Sequence, residues 1–218
     1  MSPRLPLNRS SFRVASVAEE KETGRIEAFS DGVFAIAITL LVLELKVPHL
    51  PEGGAGGALA AALVRQWPSY LAFVTSFFTI LIMWANHHAI FRLVRKIDAG
   101  FLYANGFLLL LVTVVPFPTA LLAEYLTKPG AAVAAAVYAG TFVVGGVAYN
   151  VLWSSAIRGR RLLKSGVREE TIHEMTRQYR VGVPMYLAAT LAAFVSVTLT
   201  IAICVGLWVF WIVTAKDV

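Results

Sequence analysis

The sequence predicts an all-α integral membrane protein, a bundle of six helices. Three observations carry this. Of the 218 residues, 58% are hydrophobic and the mean hydropathy is +0.71, against roughly 45–50% apolar residues in soluble domains. The apolar residues gather in stretches long enough to cross a bilayer, which takes about 20 residues per helix. The basic residues lie between those stretches and mostly on one side of them.

The first stretch covers residues 28–47, with Asp31 near its start and Glu44 and Lys46 near its end as its charged residues. A Pro- and Gly-containing segment, 48–57, separates it from the second, 67–91. The third covers 101–123, where Pro116 and Pro118 are expected to bend the helix. The fourth covers 131–157, where Gly140, Gly145 and Gly146 permit close helix contact. The last stretch, 181–214, has 34 residues. That is too long for one span and enough for two at about 1.5 Å per residue. A tight turn near 198–200 divides it into spans 181–197 and 199–214. Residues 166–180, with Glu169, Glu170 and Glu174 among basic residues, read as a polar cytoplasmic start to the fifth helix. Residues 1–24 are polar and basic and lack the apolar stretch of a secretory signal. They are expected to form an uncleaved, disordered cytoplasmic tail ahead of a single transmembrane domain, 25–218.

The chain carries 19 Lys and Arg residues. With six spans, only Lys46, Arg65 and Lys128 fall on one side of the membrane. The others lie in the N-terminal segment, the loops after the second and fourth spans, and the C-terminus. Positive residues accumulate on the cytoplasmic side, so both termini are expected in the cytoplasm of a multi-pass protein of the cell membrane. This distribution accounts for the net charge of +6, and no nucleic-acid partner is expected.

The one cysteine, Cys204, excludes an internal disulfide and lies in an apolar run that implies packing. His49 and His173 fall in expected loops. The spans hold no nucleophile constellation, no paired acids and no phosphate-cradling loop; the glycines at 52–57 lack a P-loop lysine. Enzyme activity and a resident cofactor or metal are therefore not expected. A Gly-Tyr-Gly filter loop is also missing from the sequence.

Helix 1 concentrates the informative residues. Arg25, Ser30 and Asp31 lie together at the expected cytoplasmic boundary. Charges within a span are costly and take a partner or a water-filled cavity, although Asp31 near a helix N-terminus could equally be a cap paired with Arg25. Further along, Ile36, Thr39, Leu40 and Leu43 share one helical face. Facing lipid or sister helices, this is an ordinary apolar stripe. Lining a pore, it would stack into rings of Ile and Leu that gate by dewetting, with Thr39 supplying hydroxyl oxygens and Glu44 placing carboxylates at the outer mouth. Helix 2 holds Trp84, Asn86, His87 and His88. Adjacent histidines point about 100° apart on a helix and do not readily share one metal. Either one could join Arg25, Ser30 and Asp31 in a hydrogen-bonded network at the same depth.

The run Arg25-x-x-x-Phe29-Ser30-Asp31 resembles the signature of the transmembrane protein 175 family, the lysosomal potassium channels of animals and their bacterial and archaeal relatives. Trp84-Ala85-Asn86-His87-His88 with Phe91, and Pro116-Phe117-Pro118-Thr119, are similar to the second and third helices of that family. The resemblance implies a homotetramer of six-helix subunits with helix 1 lining a central pore for permeant potassium. It implies that Ile36 forms the innermost constriction, with Leu40 and Leu43 as further pore-facing positions. Thr39 would favour potassium, and Arg25, Phe29, Ser30 and Asp31 would tie helix 1 to Trp84 and a histidine of helix 2. The alternative is a proton-coupled or other small-ion transporter, with Asp31 and a helix 2 histidine relaying protons.

Overall fold

The computed structural model describes residues 9–50 and 56–214, and among them every long element is a helix. The order is α1 (Arg9–Leu40) continued by a 3₁₀ turn (Leu41–Glu44), α2 (Gly56–Arg65), α3 (Trp67–Leu93), α4 (Ala99–Val114), α5 (Pro116–Tyr125), α6 (Ala131–Ile157), α7 (Glu169–Ala192) and α8 (Val197–Thr214). Among the described residues, five helical segments are long and apolar enough to cross a membrane: Lys21–Glu44, Trp67–Leu93, Ala99–Tyr125, Ala131–Arg160 and Val197–Thr214. Helix α7 falls short of that standard because its first half carries Glu169, Glu170, Glu174, Arg177 and Arg180.

Three expectations change on folding, and the bend expected at the prolines of the third stretch is present. Helix α1 already begins at Arg9, so over 9–24 the expected disordered tail is helical; residues 1–8 and Lys216 lie outside the described residues. Helix α2 forms where a linker was expected, while residues 51–55 of the 48–57 segment lie outside the described residues. The turn between the last two helices falls at 193–196, earlier than 198–200. There Ser196 Oγ accepts from the Leu199 backbone N–H at 3.3 Å, a capping interaction at the start of α8. The third stretch breaks at Val115, as a proline at the first position of α5 requires.

The core is built from large side chains on α1, α3, α4, α5 and α6, with Phe34, Ile80, Phe91, Phe101, Leu108, Leu122, Tyr138 and Trp153 fully buried. Helices α6 and α7 run antiparallel in a clear register. Trp153 Nε1–H donates to Thr176 Oγ1 at 2.8 Å and Asn150 Nδ2–H donates to the Tyr179 carbonyl at 2.8 Å. One turn further, Gly146 faces Val183 so closely that a Cβ there would lie 3.1 Å from Cγ2. Small residues thus bring these backbones together.

At one end of the bundle the loops after α3 and α6 are zipped by backbone bonds. Arg95 N–H donates to the Leu162 carbonyl and Lys164 N–H to the Leu93 carbonyl, each at 2.8 Å. Thr23 of α1 donates to the Arg95 carbonyl at 3.0 Å. The basic segments near Arg25, Arg95 and Arg161 therefore meet at the same end.

The closest approach of α7 to α8 yields a test. A Cβ on Gly182 would stand 2.7 Å from the Trp211 ring, whereas one on Gly206 meets nothing within 4 Å. Gly182→Ala is expected to destabilise by about 1–3 kcal/mol, the usual cost of overpacking, and Gly206→Ala to leave stability unchanged or slightly raised. Thermal unfolding followed by tryptophan fluorescence in one detergent checks both.

Candidate functional site: the apolar stripe of α1 and the polar chain behind it

Helix α1 has two different faces. Phe34, Ala37 and Leu41 are at most 1% exposed, and Ser30 is fully buried. On the other side Phe29, Ile36, Leu40 and Leu43 are 66%, 60%, 42% and 61% exposed, although all four are large and apolar. Thr39 lies on this exposed side, and Glu44 is half-buried at its end. The 3₁₀ turn extends the stripe. At 3.0 residues per turn Leu43 sits above Leu40, where a continuing α-helix would swing it about 60° aside.

The inner face is held by a chain of hydrogen bonds across three helices. His87 of α3 lies 2.9 Å through Nε2 from Asn105 Oδ1 of α4. Asn105 Nδ2–H donates to Ser30 Oγ at 3.0 Å, and Ser30 Oγ–H donates to the Ile26 carbonyl at 2.9 Å. Because the amide oxygen can only accept, Nε2 must carry the proton. All three side chains are buried. The helices reach one level because Asn105 lies six residues after the start of α4 and His87 six before the end of α3, each about 9 Å along the axis. The imidazole packs between Phe34 and Phe91, with ring centroids 5.3 Å and 4.4 Å away. Nδ1 is the buried side-chain atom that has no hydrogen-bond partner among the described residues.

A second row joins α1 to α3 nearer the surface. Trp84 Nε1–H donates to Asp31 Oδ1 at 2.8 Å, and His88 Nδ1 lies 2.9 Å from Glu27 Oε1. Glu27 and Asp31 are one turn apart on α1, as Trp84 and His88 are on α3, so the two antiparallel helices meet rung by rung. The Trp84 and His88 rings stack at 6.0 Å.

The single network expected among Arg25, Ser30, Asp31 and a histidine is thus two separate systems. His87 joins Ser30, through an asparagine. Asp31 binds Trp84 and, among the described residues, makes no hydrogen bond to either histidine, so the Asp–His relay of the transporter alternative has no direct hydrogen bond here. Arg25 is exposed and makes no polar contact among the described residues, and Phe29 points away from the core. Asn105 and Glu27 were not expected in the site. The signal for Asn105 is its place as an amide within the apolar run 101–112; Glu27 sits inside the helix 1 motif itself.

A helical bundle of membrane-spanning segments, whose first helix is pinned by buried polar groups and leaves an apolar stripe uncovered, is a polytopic membrane protein. Residues 25–116 match the family described as "Endosomal/lysosomal potassium channel TMEM175". A potassium channel of Chamaesiphon minutus is 54% identical over 88% of this chain and 95% of its own length. A potassium channel of Streptomyces collinus is 46% identical over 83% and 87%, respectively. The crystal structure of a lysosomal potassium-selective channel TMEM175 homolog from Chamaesiphon minutus superposes with a TM-score of 0.80 at 51% identity, covering 89% of this chain and 98% of that one. The chain belongs to the TMEM175 family.

The polar chain gives a test. Asn105→Leu strands the His87 N–H in a buried site, and should lower stability by about 1–3 kcal/mol. His88→Ala removes a partly exposed pair with Glu27 and the stack on Trp84, and should cost at most about 1 kcal/mol. Thermal unfolding of the two variants beside the parent compares them. Equal shifts would mean the buried chain contributes no more than the surface rung.

Proposed function

We propose that this chain is a potassium-selective channel of the cell membrane, in which four copies surround a shared axis with the exposed stripe of α1 turned inward. The observation that carries this reading is the stripe itself. The large apolar side chains of Ile36, Leu40 and Leu43 are left uncovered by the chain's other helices, on a protein whose relatives at 54% and 46% identity are named potassium channels. In this reading α7 is the sixth span. Its apolar half, from Val181, lies against α6 and turns into α8. An even number of crossings then returns the C-terminus to the cytoplasmic side, where the basic loops meet.

Four copies would stack Ile36, Leu40 and Leu43 into rings over about 12 Å of the axis. Such a constriction admits water poorly and closes by dewetting. An ion passing it must thin its hydration shell. Potassium holds water less tightly than sodium and meets the lower barrier. Thr39 supplies the polar counterpart. Its hydroxyl proton is committed to the Ile36 carbonyl at 2.9 Å, so the lone pairs of Oγ1 remain available to a cation. Glu44 would set carboxylates at the outer mouth and raise the local cation concentration. Selectivity from one hydroxyl ring is expected to be weaker than from a carbonyl-lined filter.

Purified protein in liposomes, tested for potassium against sodium flux, examines this directly. Ile36→Asn should raise conductance severalfold, because an amide ring stays wet. Thr39→Ala should move the potassium-to-sodium permeability ratio toward unity, while Thr39→Ser should retain it. Unaltered currents from a well-folded Ile36→Asn variant would falsify the pore assignment. An unchanged ratio in Thr39→Ala would remove the threonine from selectivity and leave the pore in place.

A further inference from the structure

Between α4, α6 and α7, at the end where the basic loops meet, lies an open groove of about 640 Å³. Small-molecule clefts run to roughly 300–1,000 Å³, so the groove has room for a bound molecule. Its walls divide by depth. Arg158, Arg161, Ser154 and Asp98 line one part; Val147, Val183 and Ala104 line another; Arg180 lies between them. The α6–α7 register sets Arg180 beside Asn150, since Asn150 bonds the Tyr179 carbonyl.

These levels can be placed in the bilayer. Twenty residues from the start of α6 at Ala131, about 30 Å of helix, bring the edge of the hydrocarbon to around Val151. Arg180 then stands at that edge. Arg158 and Arg161 lie on the polar side, and Val147 and Val183 on the apolar side. From Val147 to Arg158 the groove runs about 16 Å, far more than a free phosphate needs.

The charge is not balanced within the chain. Asp98 pairs with Arg161 at 2.5 Å and also accepts from the Phe101 N–H at 2.9 Å, capping α4. Arg160, outside the groove, pairs with Glu169. Arg158 and Arg180 make no ion pair among the described residues. Two uncompensated guanidiniums therefore face a groove whose floor is in hydrocarbon. Guanidinium binds phosphate through paired N–H donors, and basic pockets between spans on the cytoplasmic side suit anionic headgroups.

We infer that this groove is a binding site for one anionic phospholipid of the cytoplasmic leaflet, its phosphate held by Arg158 and Arg180 and its upper acyl chain laid along Val147 and Val183. The inference rests on the cytoplasmic orientation given above. It does not need ion conduction.

Native mass spectrometry of the full-length protein in detergent, titrated with phosphatidylglycerol or phosphatidylcholine, tests it. Phosphatidylglycerol should bind one per chain and in preference to phosphatidylcholine. Each arginine near an anionic headgroup is worth roughly fivefold in affinity, so Arg158→Gln with Arg180→Gln should weaken that binding by about 30-fold. The double Lys variant should keep most of it, and Arg168→Gln, outside the groove, all of it. Equal retention of the two lipids by the parent protein overturns the inference without any variant, as does undiminished binding in the double Gln variant. Displacement of the lipid by equimolar inorganic phosphate would assign the groove to a soluble anion and also overturn it. Potassium flux from the same preparation separates the two readings. Flux with no lipid preference removes this site alone, and lipid preference with no flux removes the channel alone.

Discussion

The hydrogen-bonded chain from Ser30 through Asn105 to His87 fixes the roll of α1 about its own axis, and what α1 shows to the outside follows from it. In a bilayer an unmade hydrogen bond has no water to fall back on. Turning α1 by one residue would swing Ser30 about 100° away from Asn105 and leave the Asn105 amide N–H stranded. With Ser30 turned inward, the positions above it on the same face, Phe34, Ala37 and Leu41, enter the core. Phe29, Ile36, Leu40 and Leu43 are left outside. The surface rungs Asp31–Trp84 and Glu27–His88 add the axial register. Roll and height are thus both fixed against α3 and α4.

Much of this was legible in the residues, and the losses have physical causes. Hydropathy located the five candidate spans among the described residues because lipid imposes a length that composition can meet in few ways. It misplaced the last turn because Ala193, Phe194 and Val195 carry the apolar run straight through it; only the Ser196 cap marks the boundary. Helix α2 was missed because ten residues containing two glycines are too short to span and look like a linker. The polar residues were expected as one network, and the folded chain arranges them in two rows. Depth follows from counting along a helix, but which groups touch depends on azimuth, and the bridging partner stood on a third helix. Asn105 could be recognised as an oddity within its apolar run, yet nothing local says that its amide points at both Ser30 and His87. The exposed stripe of α1 was visible from its period of 3.6, although period alone cannot tell a face that meets lipid from one that meets another copy.

Charge behaves in the same way. Counting basic residues by loop groups them to one side, and the backbone bonds between the loops after α3 and α6 bring those groups physically together. The count says nothing about neutralisation. Asp98 and Glu169 each take one arginine of the 158–161 turn, Arg161 and Arg160, and only the folded arrangement leaves Arg158 and Arg180 over. A sidedness signal becomes a possible chemical site once the acids have been assigned to their partners.

The constraint on α1 also bears on the proposed assembly of several copies. A stripe that includes Ile36, Leu40 and Leu43 cannot face water without loss, since each large apolar side chain left exposed forgoes roughly 1.5–3 kcal/mol. Lipid would cover the stripe, but lipid gives no reason for Thr39 to interrupt it or for the helix to tighten. The 3₁₀ turn that keeps Leu43 above Leu40 forgoes good α-helical hydrogen-bond geometry to hold one line of side chains straight. Thr39, with its proton donated to the Ile36 carbonyl, turns an acceptor oxygen to the same side. A straight apolar line carrying one acceptor level suits a narrow passage between copies better than a surface against acyl chains. The buried polar chain on the opposite face is what holds that line in place.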